Sequence, residues 1–439
     1  LTDTYTYLGP SVFGYETDGL RRVASISVHT SPLASLGGKD AGGMNVYVRE
    51  LSCHVASQGL PVDIFTRRTS PDTPEVQTIC DNVNLISIAA GPPEPVDKNT
   101  LHKYLPAFAE QMALYALRTG VRYDVIHAHY WLSGLTAELL KRYWNIPYTL
   151  MFHTTAHMKN RVSPAGEQET PLRAASEQRL VDMADSIIAA NPDERADLIW
   201  RQHAIASKIC TIPPGVDVDL FTPGDRSQCR RDIGIDENAK VVLFVGRIDP
   251  IKGIDTLLTA FEQVAGEVDD AMLAIVGGDL DDAGEPVGPL ALIRDRLVES
   301  GLIDRVRFYG SQPQDRLPVF YAAADVVSVP SRYESFGLVA VEAMACGVPV
   351  VASKAGGLIF TVEEGETGFL APWDRPDVHA TAIASILCDP TLADRMGRNG
   401  HTAAQRFSWQ TVAAQVIHVY QRLAAGQRGN FCDKEEIFA

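Results

Sequence analysis

The feature that most restricts the fold is a strand-helix alternation that runs, stops and starts again. RRVASISVHT at residues 21–30 is an apolar strand followed by MNVYVRELSCHVASQGL, whose apolar residues recur at helical spacing. PVDIFTR, VNLISIA, LPAFAEQMALYAL, YDVIHAH, WLSGLTAELLKRYW, IPYTLMFHT and SEQRLVDMADSIIAAN continue the rhythm. Strands alternating with helices in this way build a parallel, doubly wound sheet. Around 211–224 the text becomes TIPPGVDVDLFTPG, too rich in Pro, Gly and Asp for a regular element. The alternation then restarts with VVLFVGRI, LLTAFEQVAG, AMLAIVGG, ALIRDRLVESG, VRFYG, VFYAAADVVSVPS and VPVVAS.

The chain therefore reads as α/β, with two Rossmann-like doubly wound parallel-sheet domains facing a central cleft at the carboxyl ends of their strands. The expected division is an N-terminal extension over 1–20, a first domain over 21–210, a linker over 211–224, a second domain over 225–408, a helix over 409–425 and a mobile tail over 426–439. A length of 439 residues suits two cores of this size.

Composition then narrows the partners. A net charge of −16 repels nucleic acid and anionic lipid, so an anionic substrate would have to be met by local cations. No run approaches a transmembrane span, and the first residues lack a basic start and an apolar core, so a cytoplasmic setting is expected. The 7 cysteines are scattered and never spaced as CxxC, which reads as reduced thiols.

Those cations stand where the topology needs them. Arg247 and Lys252 lie in VGRIDPIKG, past an apolar strand, where they could neutralise a leaving diphosphate or simply sit solvated in a surface loop. Glu334 and Glu342 bracket a Ser-Phe-Gly turn that opens a helix in YESFGLVAVEAMACGVPVVAS. Such a turn offers amides to phosphate, and its acids could hold hydroxyls; an ordinary strand-loop-helix unit would look similar. Gly42 and Gly43 open the first helix and would let backbone approach a ligand. His153 ends a buried strand, with His127, His129 and His157 as rivals nearby. There is no GxxxxGK[ST], GxSxG, HExxH or Cys/His cluster, so no P-loop, acyl-hydrolase elbow or metal site is expected.

DAGGMN, FHTTAHMKN, VGRIDPIKG and ESFGLVAVEAMACGVPVVAS, in that order, resemble the retaining, two-Rossmann-domain (GT-B) glycosyltransferases of family four over nearly the whole chain. ISVHTSPL, DAGGMNVYV, HAHYWLSG and SEQRLVDMAD are most similar to the D-inositol-3-phosphate glycosyltransferase branch. Sucrose-phosphate synthases are related, although their usual GHSLG and TGGQTKYV patterns are absent.

The resemblance implies a donor site of Gly43, Arg247, Lys252, Glu334, Phe336, Gly337, Leu338 and Glu342. It implies catalytic roles for His153, Glu334, Arg247 and Lys252. It also implies an acceptor site in which Lys98, Tyr130, Thr154 and Arg173 hold a phosphate and Asn45 meets a polyol ring. The co-substrate would be UDP-glucose or UDP-N-acetylglucosamine, with no further cofactor and no metal. The acceptor would be a phosphorylated polyol of the inositol-phosphate type, or fructose 6-phosphate as in sucrose-phosphate synthase. A non-catalytic nucleotide-sugar-binding protein is the alternative from another class, and a homo-oligomer is left open. Gln312 stands where the inositol branch can have Arg, the extension before Arg21 has no counterpart, and the spacing over residues 31–38 differs from some relatives.

Overall fold

The computed structural model describes residues 19–34, 42–161 and 168–432. Most of the N-terminal extension, the Gly-rich approach to the first helix over 35–41 and the last part of the tail over 433–439 lie outside the described residues.

Eight strands form the first sheet: β1 (Val23–Ile26), β2 (Val62–Arg67), β3 (Val76–Cys80), β4 (Val83–Ile88), β5 (Val125–His129), β6 (Tyr148–Met151), β7 (Ser186–Ala189) and β8 (Ile209–Thr211). Their order is β3-β4-β2-β1-β5-β6-β7-β8. Neighbours are parallel except at the edge, where β3 runs antiparallel to β4. The sequence reading passed over β3 because an edge strand need not be apolar, and Val76, Gln77 and Thr78 are exposed.

The second sheet uses β9 (Lys240–Val245), β10 (Ala271–Val276), β13 (Val306–Phe308), β14 (Val326–Val329), β15 (Val350–Ser353) and β16 (Gly368–Ala371), in the order β13-β10-β9-β14-β15-β16 and all parallel. A small hairpin of β11 (Asp279–Leu280) and β12 (Pro286–Val287) projects from it. The central strands are buried on both faces, which accounts for unbroken runs such as VVLF and LAIV.

The chain passes between the two sheets twice, and the two passages are bonded to each other. Val216 N donates to Phe407 O at 2.8 Å, and Trp409 N donates to Val216 O at 3.2 Å. Gly215 permits this approach, because a Cβ there would lie 2.9 Å from Trp409 Cα and 2.5 Å from its indole. Trp409, 1% exposed, begins the C-terminal helix Trp409–Ala424, which returns to the first domain and packs on the first helix, Gly43–Ser57. Its indole meets the Tyr47 ring edge-on at 5.6 Å. On the other side Phe407 meets Phe336 of the second domain at 5.3 Å.

Two expectations are corrected. Four of the cysteines are disulfide-bonded, Cys53 to Cys80 and Cys210 to Cys432. Spacing along the chain could not show this, because the first helix meets β3, and the segment beyond the C-terminal helix meets β8, only after folding. The start of the tail is also held in place: Phe431 is buried and Asn430 N donates to Ser207 O at 2.6 Å.

No helix among the described residues is long and apolar enough to cross a membrane. Alkylation of the denatured, unreduced protein should label 3 thiols, those of Cys229, Cys346 and Cys388, rising to 7 after reduction. Seven labels before reduction, read by intact mass, would refute both bridges.

Candidate active site

On the second-domain wall the turn after β9 carries Arg247, whose guanidinium lies 3.7 Å from Asp249. Asp249 in turn accepts the Ile251 amide at 3.0 Å and caps the short turn Pro250–Lys252. That cap sets the stem of Lys252, which reaches Glu334 Oε2 at 2.6 Å; Ser331 Oγ donates to the same oxygen at 3.3 Å. Both side chains stay partly accessible, 23% for Lys252 and 18% for Glu334, so an arriving ligand can reach either.

The Glu334 turn is fixed from beneath by Gly357 N, which donates to Glu334 O at 2.8 Å. Gly337 then takes φ +95°, in the region open to glycine, and starts the helix Leu338–Ala345. The first amides satisfied inside that helix are those of Ala340 and Val341, which donate to Gly337 O, so the Leu338 and Val339 amides stand at its entrance. Phe336 is buried under the turn, and Thr361 Oγ1 donates to its carbonyl at 2.8 Å.

Glu342, one turn into the helix, points inward and accepts the Tyr321 hydroxyl at 2.7 Å. Burial raises its carboxyl to about 7, with the Tyr321 bond pulling the other way. Gln312 folds back to donate to Tyr309 O at 2.6 Å.

The facing wall belongs to the first domain. A Cβ on Gly43 would lie 3.2 Å from Leu338 Cδ1, so the entrances of the first helix and of Leu338–Ala345 face each other at close range. Asn45 is engaged locally: Nδ2 donates to Thr30 Oγ1 at 2.8 Å and Ser31 O at 2.6 Å, and Oδ1 accepts Gly42 N at 3.0 Å. This side chain holds the loop after β1 against the helix start. The walls are joined by Asn191 Nδ2 donating to Ser335 O, by Arg49 donating to Gln314 at 2.6 Å and by Tyr333 OH donating to Met158 Sδ at 3.3 Å.

His153 follows β6 with φ +61°, a conformation that costs a non-glycine residue of order 1 kcal/mol or more and persists where surroundings enforce it. Its Nε2 lies 3.2 Å from Nδ1 of His129, the last residue of β5, and Tyr47 meets its ring edge-on at 5.1 Å. Burial first, then His127 and His29, push His153 down to about 3, so it is neutral near pH 7.

Tyr130, Thr154 and Arg173 converge beside it. Arg173, on the helix Pro171–Met183 and 1% exposed, donates from Nη2 to Thr154 O at 2.7 Å and lies over the Tyr130 ring at 4.7 Å. Burial opposes its charge, but Glu177, bonded at 2.6 Å, with Tyr130 and with Glu169 at 3.1 Å, raises its pKa on balance. Lys98 lies on a separate loop, half-buried ahead of Leu101–Tyr104. The sequence reading missed Glu169 and Glu177; the i,i+4 spacing of Glu169, Arg173 and Glu177 was the available signal. Among the described residues no group of three or more His, Cys, Asp or Glu is placed to hold a metal ion.

Residues 225–403 match the model "Glycosyl transferases group 1" and residues 41–220 match "Glycosyltransferase Family 4". The chain is 41% identical over 415 residues to a D-inositol 3-phosphate glycosyltransferase of Corynebacterium efficiens, covering 92% of this chain and 96% of that one. The chain belongs to glycosyltransferase family 4. The D-inositol 3-phosphate glycosyltransferase of Mycolicibacterium gilvum is similar at 42% over 417 residues, 93% of this chain and 91% of that one. Among solved structures, sucrose-phosphate synthase from Thermosynechococcus elongatus superimposes with a TM-score of 0.84 at 37% identity, covering 93% of this chain and 100% of that one. The two parallel-sheet domains are thus the GT-B arrangement, and the protein is a glycosyltransferase.

Glu342 gives a test of site burial. With its carboxyl near 7 in the folded chain against 4.5 ordinarily, the folded state keeps a proton that the unfolded state has lost between those values. This contribution is full below pH 4.5 and declines as pH rises to about 7. Replacing Glu342 by Gln should therefore flatten the fall in urea stability across that window; parallel profiles for parent and variant would contradict the assigned burial.

Proposed function

We propose that this glycosyltransferase moves a hexosyl unit, with retention, from a UDP-sugar to a phosphorylated acceptor of the inositol-phosphate type. The observation that carries the reading is the facing pair of helix entrances at Gly43 and Leu338, flanked by Lys252 and Glu334 on one wall and by His153 and Arg173 on the other. A diphosphate set between those entrances meets amides and a compact cation, while a sugar beside it meets Glu334 and His153.

As the sugar leaves, negative charge builds on the diphosphate. Arg247, Lys252 and the Leu338 amide stabilise it there, so the reaction asks for no further cofactor or metal. The acceptor hydroxyl attacks on the leaving-group side and a diphosphate oxygen takes its proton. Neutral His153 meets the transferred sugar as a hydrogen-bonding group rather than as a cation. The acceptor phosphate displaces Glu169 or Glu177 from Arg173 and is completed by Lys98, Tyr130 and Thr154. Asn45 acts on the polyol through the loop it holds. Glu342 supports the nucleoside side from within the helix.

The likeness to sucrose-phosphate synthase keeps a second reading, in which the acceptor is fructose 6-phosphate. Both readings share the cytoplasmic setting expected from the sequence, and the two disulfides are the observation that opposes it.

UDP release from UDP-glucose or UDP-N-acetylglucosamine, each against inositol 3-phosphate and fructose 6-phosphate, decides between them. Turnover only with inositol 3-phosphate is expected, with the anomeric configuration kept in the product by NMR; no turnover in any pairing refutes the proposal. Lys252→Ala should lower kcat by about 100-fold or more, as loss of a charge-stabilising group does. His153→Ala should cut kcat much more than UDP affinity, and unchanged turnover would remove His153 from the reaction.

A further inference from the structure

Behind His153 lies a line of buried rings that the reaction above does not use. His129 is 1% exposed and lies against His127 with centroids 4.1 Å apart and the rings tilted by 40°. Nδ1 of His127 pairs with the Tyr420 hydroxyl at 2.7 Å, so the line is anchored on the C-terminal helix. The Tyr47 ring stands edge-on to both His129 and His153, at 5.7 Å and 5.1 Å, and is backed by Trp409. None of these groups belongs to the donor or acceptor sets.

The contact between His129 Nδ1 and His153 Nε2 at 3.2 Å can hold one proton. Burial keeps both rings neutral, so two protons are shared among four ring nitrogens. If His153 donates from Nε2, the other proton must sit on Nε2 of His129, whose ring is 1% exposed and makes its one side-chain hydrogen bond among the described residues through Nδ1. If His129 donates from Nδ1, the other proton sits on Nδ1 of His153, the less buried ring at the cleft. An N–H without a protein acceptor costs more on the ring with less access to water, so the second arrangement is favoured.

We infer that His129 is a positioning residue that donates from Nδ1 to Nε2 of His153, fixing the catalytic ring in its Nδ1–H form and offering a donor to the sugar. His127 and Tyr420 hold the His129 ring from behind. The positive φ of His153 fits this role, because the His129 bond and the Tyr47 edge fix the ring that this backbone presents. The inference rests on the placement of His153 in the reaction.

The test uses the full chain. In 15N-histidine NMR of the wild-type protein His153 should show a protonated Nδ1 and a bare Nε2, and the opposite tautomer would overturn the inference without any variant. In kinetics, His129→Phe should lower kcat by about 10- to 100-fold with the UDP-sugar KM within about 3-fold, a loss typical of removing an outer-shell partner. His129→Asn keeps an amide donor near the Nδ1 position and should restore most of that loss. Equal kcat in the Phe and Asn variants, whether both low or both unchanged, would overturn the inference. If His129→Phe does not fold, the wild-type tautomer decides. His153→Ala separates the two levels: turnover unchanged there defeats the placement of His153 itself, whereas turnover lost there and unaffected in His129→Phe defeats only the positioning role.

Discussion

The two interdomain passages are bonded through main chain at a single place, and the rest of the molecule depends on that pairing. The Val216 amide donates to Phe407 O and its carbonyl accepts the Trp409 amide, beside a glycine that leaves room for an indole. Backbone bonds at a buried crossing tolerate little displacement, because an amide or carbonyl left unmade there has no water to replace it. The two domains are thereby held with the carboxyl ends of their strands facing each other, and one hydrophobic cluster runs through both. Trp409 extends the constraint into the first domain through Tyr47, and Phe407 extends it into the second through Phe336. Beside the close approach of Gly43 and Leu338, the cleft is also crossed by local polar contacts, such as Asn191 with Ser335. Polar contacts of that kind can be exchanged when domains move, whereas the packed indole cannot.

Charge in the cleft follows a related logic. In a chain with an excess of acids, an unpaired buried cation would be costly, and the folded protein answers by pairing its cations with carboxylates. Lys252 takes Glu334, and Arg173 takes Glu169 and Glu177. Under the proposed function each pair is a placeholder: the anionic ligand replaces a carboxylate, and the freed carboxylate becomes an acceptor for hydroxyls. Glu334 is partly exposed and suited to that exchange, whereas Glu342 is sealed against Tyr321 with its carboxyl raised to about 7 by burial.

Much of the fold was legible in the sequence because its signals are short-range. Runs such as VVLFV and AMLAIV can hardly be anything but strands buried on both faces, and the Pro, Gly and Asp of TIPPGVDVDLFTPG interrupt them. The Ser-Phe-Gly turn was legible for the same reason, since Gly337 supplies the positive φ that starts the next helix. The antiparallel edge strand β3 was not, because half its side chains face water and its text lacks apolar continuity. Arg173 drew notice through a family likeness; its carboxylate partners one helical turn away on either side were passed over.

What the sequence alone determined is therefore local: strand and helix type, the parallel architecture, the turns that place Arg247, Lys252 and Glu334 at strand ends, and a family likeness carried by contiguous motifs. Tertiary structure alone decided that Cys210 bonds Cys432 across 222 residues, that the last helix serves the first domain, and that Tyr420 stands behind His127 and His129. Each of those depends on residues brought together by the packing of whole layers. A contact of that kind leaves no periodicity in the chain, since its free energy depends on distance in space and not on spacing along the backbone.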